Sequence, residues 1–66
     1  MKVLVNGERC DVADGTTVDV LATSVIDRPR GVAVAVNGEV VPRSAWSATA
    51  LKEDDRVEVV TGKQGG

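Results

Sequence analysis

The chain has 66 residues, with 42% hydrophobic and 27% charged side chains and a net charge of −2. That is enough for one small globular domain, which removes only roughly 60% of its unfolded surface from water. Acids and bases are interspersed without a Lys/Arg cluster, which argues against a nucleic-acid partner, and no apolar run is long enough to cross a bilayer. A single cysteine and no histidine argue against an internal disulfide, a protein-supplied metal site and the Ser/His or Cys/His pairings of nucleophilic catalysis. Catalysis by this chain alone is therefore not expected.

Met1 leads into a strand-like run with no basic segment followed by an apolar one, so the reading is a soluble, cytoplasmic protein without a signal peptide. Lys2-Val3-Leu4-Val5 and Glu8 to Ala13 flank Asn6-Gly7, the pair best suited to the positive φ angles of a type I′ turn. The spacing predicts a β-hairpin. Alternation places Val3, Val5, Cys10 and Val12 on the inner face and Lys2, Arg9 and Asp11 on the outer. Cys10 is then a buried structural thiol, not a reactive one.

After Asp14-Gly15, Thr17 is the N-cap of a short helix, with Asp19 near its positive end. Val18, Leu21, Ala22, Val25 and Ile26 recur at helical spacing, and Arg28-Pro29 and Gly31 stop the segment. This apolar stripe should cover the sheet. Val32 to Val36, Asn37-Gly38 and Glu39-Val40-Val41 repeat the hairpin pattern, with Pro42 ending it.

Residues 43–55 lack a sustained period and predict an irregular connection with one helical turn, pinned to the core by Trp46 and Leu51. The acids Glu53, Asp54 and Asp55 have no regularly spaced oxygen ligands around them, and read as a solvated turn, not a cation site. Arg56 to Thr61 alternates as a last strand with Val57 and Val59 inward. The pattern predicts an α+β fold with a mixed sheet, a domain over 1–61 and an extended tail over 62–66.

The tail carries the evident chemistry. Gly65 and Gly66 lack Cβ atoms, so the chain end can enter a narrow channel in another protein. Five extended residues from Gly62 reach at most roughly 17 Å, enough to place Gly66 in a cleft while the folded body docks at its rim. The α-carboxylate, ionised at neutral pH, is a nucleophile but a poor electrophile and needs activation. No phosphate-binding loop of either the G-x-x-x-x-G-K-[ST] or the G-x-G-x-x-G type is present, so ATP would be bound by a partner and no cofactor by this chain. On the outer sheet face, Leu4, Ala33, Ala35 and Val60 are the candidate partner-binding surface.

The run Val32-Ala33-Val34-Ala35-Val36-Asn37-Gly38-Glu39-Val40-Val41-Pro42-Arg43-Ser44, with Trp46, Leu51, Asp55 to Val59 and Gln64-Gly65-Gly66, resembles the sulfur carriers of thiamine (thiazole) biosynthesis. These belong to the ubiquitin-like β-grasp group, and the likeness covers the full length. The resemblance implies a β-grasp of about five strands on one helix, with the first and last strands parallel in the middle. It implies that Gly66 is adenylated by a ubiquitin-activating-like adenylyltransferase and converted to a thiocarboxylate, with Gln64 and Gly65 entering the partner's active site. Sulfur would come from a cysteine desulfurase or sulfurtransferase and pass to thiazole synthase. Two departures from the family pattern are visible: Asp54 stands where relatives usually have Gly, and Gly62-Lys63 where they commonly carry two apolar residues. Carriers for molybdopterin or cysteine synthesis share the fold but tend to be longer and lack the Pro-Arg-x-x-Trp run. A ubiquitin-like modifier conjugated through Gly66, or a binding module, is the alternative from another class; the chain's stopping at Gly66 speaks against a linker.

Overall fold

The computed structural model describes residues 1–25 and 31–61, with side chains up to Ser24 and from 31 to Val60. The Val25 and Ile26 positions of the helical stripe, the Arg28-Pro29 stop and the 62–66 tail lie outside the described side chains or residues. The elements follow in the order β1 (Lys2–Val5), β2 (Glu8–Asp11), α1 (Val18–Val25), β3 (Val32–Val36), β4 (Glu39–Val41), a 3₁₀ helix (Arg43–Ala48) and β5 (Arg56–Thr61). They form one five-stranded mixed sheet of order β2-β1-β5-β3-β4. β1 and β5 are parallel in the centre and every other pairing is antiparallel.

Both hairpins turn where the Asn-Gly pairs predict. Asn6 and Gly7 have φ of 51° and 84°, and Asn37 and Gly38 have 52° and 86°. Two consecutive positive φ angles match the right-handed twist of the flanking strands, which is why the two-residue loop sets the registers Val5↔Glu8 and Val36↔Glu39. Asp54 also takes a left-handed conformation, φ 68°, so an aspartate there serves the turn that glycine would otherwise make.

Thr17 caps α1 as expected: its Oγ1 accepts from the Val20 N–H at 3.4 Å. Val18, Leu21 and Ala22 are buried from the helix against Val3, Val5, Val34, Val57 and Val59 from the sheet. Small aliphatic side chains fill this core, and Trp46 and Leu51 from the long connection close it. Trp46 is buried with its Nε1–H donating to the Val41 carbonyl at 3.0 Å, while Arg43 lies over its ring at 4.9 Å. That combination satisfies the indole's apolar body and its polar edge.

Two expectations require correction. Cys10 is half-buried, packed against the core without being enclosed by it. β2 is an edge strand and ends at Asp11, so the sheet covers the thiol from one side only. Asp55 is not solvated: it is 6% exposed, and its carboxylate accepts from the Lys52 N–H at 2.7 Å and the Asn37 Nδ2–H at 2.9 Å. Its neighbours Glu53 and Asp54 are exposed, as expected.

Candidate functional site

The strand that delivers the tail is central. β5 lies between β1 and β3, with Val57 and Val59 buried beneath it. Its pairing with β3 continues to the last described rung, Val32↔Thr61. On the β1 side the main-chain ladder stops at Val5↔Val57 and the Asn6 N–H, which donates to the Val57 carbonyl at 2.9 Å. Gly65, Gly66 and Gln64 lie outside the described residues, so the fold contributes the strand from which they depart.

Asparagine side chains hold β5 at two points. Asn6 Oδ1 accepts from the Val59 N–H at 2.9 Å and its Nδ2–H donates to the Val59 carbonyl at 3.2 Å. Asn37 Oδ1 accepts from the Arg56 N–H at 3.0 Å, and its main-chain N–H donates to the Arg56 carbonyl at 2.7 Å. The sequence marks both residues as turn formers, but the contacts join positions far apart in the chain that no local pattern links.

The outer face holds the four candidate contact residues, divided into separate groups. Ala33 stands opposite Val60, which is 57% exposed. Ala35 stands opposite Glu58 on β5 and Val40 on β4, and Val40 is 73% exposed. Leu4 pairs with Arg56 and Arg9, so Arg56 and Glu58 separate it from Val60 along β5. Leu4 instead lines a shallow pocket of about 260 Å³ with Lys2, Arg9, Glu53 and Asp54. Val40 was missed; the two-residue Asn-Gly loop alone places it opposite Ala35, and that register was the available signal.

A crystal structure of a thiamine biosynthesis protein (ThiS) from Geobacter metallireducens superposes with a TM-score of 0.86 at 35% identity, covering 100% of both chains. Among curated proteins, the sulfur carrier protein ThiS of Escherichia coli is 31% identical over 65 residues, 94% of this chain and 98% of that one. A thiazole synthase of Magnetococcus marinus is 41% identical over all 66 residues of this chain, which spans only 20% of that protein's length. The parallel central pair, the single covering helix and this structural likeness define a β-grasp domain of the ubiquitin-like group. A family model described as the ThiS family matches residues 3–66. The chain belongs to the ThiS family.

Proposed function

We propose that this protein is a sulfur carrier of thiamine biosynthesis, cytoplasmic and non-catalytic, whose Gly66 carboxylate is adenylated and then converted to a thiocarboxylate. The observation that carries the reading is the near end-to-end match with the Escherichia coli sulfur carrier, 94% of this chain against 98% of that one. The family match running through to residue 66 supports including the Gly-Gly pair. A second support is the covalent company the domain keeps: the thiazole synthase relative contains a segment matching the whole chain within a protein about five times as long. Thiazole synthase is accordingly the proposed acceptor of the sulfur.

The chemistry follows from the carboxylate. Its oxygen attacks the α-phosphorus of ATP bound by the adenylyltransferase, pyrophosphate leaves, and the acyl carbon becomes electrophilic. The terminal sulfur of a persulfide from the desulfurase or sulfurtransferase attacks that carbon and expels AMP, leaving an acyl disulfide. A thiol then attacks the outer sulfur, forming a new disulfide and releasing the thiocarboxylate. The carrier supplies a nucleophile without flanking side-chain bulk at Gly65 and Gly66, with Gln64 entering the same cleft. The outer face, with Ala33 and Val60 near the strand's exit, Ala35 and Val40 level with Glu58, and Leu4 beside Arg56, is the proposed docking surface.

Intact-mass measurement of the protein incubated with its activating enzyme, ATP and a persulfide source tests this. Replacement of one oxygen by sulfur is the expected product, and it should disappear when one residue is added after Gly66. Absence of both adenylate and thiocarboxylate from the unmodified chain would overturn the reading.

A further inference from the structure

β1 leaves the sheet at Asn6, where the chain turns through its two positive φ angles. Continuing the parallel register Leu4↔Arg56, Val5↔Val57 would bring the Val59 N–H to the carbonyl of residue 6 and the Val59 carbonyl to the N–H of residue 8. The turn takes the main chain away from both. The Asn6 side chain takes their place, one oxygen accepting and one N–H donating on the same residue of β5. Because β1 runs parallel and β3 antiparallel to β5, the two Asn-Gly turns flank that strand from opposite sides, Asn37 at its first residue Arg56 and the Asn6 side chain at its fourth, Val59. Asn37 holds its beginning, and Asn6 holds it near its exit, two residues before Thr61.

We propose that Asn6 is a positioning residue for the carrier tail: its side-chain amide extends the β1-side ladder as far as Val59, so that β5 is held on both sides to within two residues of its last described position, Thr61. The proposal rests on the carrier reading. Beyond Val59 the described pairing of β5 is with β3 alone, through Ala33↔Val60 and Val32↔Thr61. Without the amide, β5 would lose its β1-side hold from Val59 onward, and a root that frays sends Gly66 to a wider volume. Glycine at position 6 would keep the turn and lose both bonds. Aspartate would keep the acceptor for the Val59 N–H but set a carboxylate oxygen against the Val59 carbonyl. Only asparagine, of these three, meets the turn and both rungs.

The test compares full-length wild type, Asn6→Gly, Asn6→Asp and Asn37→Gly in hydrogen exchange and in adenylation by the activating enzyme. In Asn6→Gly the Val59 amide, whose N–H meets the Asn6 side chain, should exchange faster while Val34 keeps its protection. The adenylation kcat should fall about tenfold with KM unchanged, the size expected when roughly one further residue of backbone freedom must be frozen at each turnover. Asn6→Asp should show the same kcat loss, and it replaces the glycine variant if that one does not fold. Asn37→Gly should lower stability and leave kcat alone, since its clamp is remote from the exit. Wild-type kcat in the folded Asn6 variants, equal kcat loss in Asn37→Gly, or unchanged exchange at Val59 would each overturn the proposal. A wild-type chain that is never adenylated would instead refute the carrier reading, and the exchange data would still decide whether the clamp holds the strand.

Discussion

Asp55 and Asn37 show how much a small domain can rest on one polar contact. The buried carboxylate caps the Lys52 N–H and receives the Asn37 amide, while Asn37 also satisfies the first N–H of β5. Truncation to Asp55→Ala leaves both donors without their partner, and should cost about 1–3 kcal/mol in urea denaturation. Trp46→Ala removes the largest side chain of the core and should cost about 3–5 kcal/mol. For 66 residues the whole stability is of the order of 3–10 kcal/mol, so this variant should lose much of its far-UV circular dichroism cooperativity. Trp46 was legible as an anchor because a lone aromatic in a small aliphatic sequence has few other places to go. Asp55 was not, because a charged residue among charged neighbours gives no sign that a partner 18 positions away will bury it.

The elements themselves were largely legible, since each relies on chemistry within a few residues: positive φ at Asn-Gly, strict alternation, a threonine cap. The backbone demand at Gly38 can be isolated. A Cβ there would meet nothing within 4 Å, yet φ is +86°. Gly38→Ala should therefore be destabilising through conformation alone, by about 1–2 kcal/mol, seen as a lower denaturation midpoint with an unchanged m-value. Strand order lay beyond alternation, because inner and outer positions of one strand do not reveal its neighbour; the parallel β1–β5 pair came from family resemblance. The half-buried Cys10 has the same origin: edge status depends on the order of strands. The edges are short and β2 is charged, reading Glu-Arg-Cys-Asp, which discourages pairing with another chain.

At the scale of the whole molecule, one strand joins the core, the outer face and the proposed reactive end. Val57 and Val59 anchor β5 from below, and Val60 and Glu58 present its upper side. Charge placed at Val60 or Ala35 should leave the unfolding free energy within about 0.5 kcal/mol of wild type. It should weaken binding to the activating enzyme about tenfold in calorimetric titration if the docking surface is as proposed. Charge at Leu4 tests how far the surface extends, since Arg56 and Glu58 stand between it and the rest of the patch.

The parallel pairing of β1 with β5 also has a mechanical side. The chain enters β1 at one end of the sheet and leaves β5 at the opposite end, so tension applied between Met1 and Gly66 slides these strands past each other. The rungs from Leu4 to Asp55, from Asn6 to Val57 and from the Asn6 amide to Val59 then bear the load together instead of opening one by one. Resistance to forced extension is set by the unfolding barrier, and should be high for so small a domain. In single-molecule pulling, Asn6→Gly should rupture at lower force than Asn37→Gly. A machine that threads the protein from its glycine end would thus meet its hardest obstacle at the first strand it reaches.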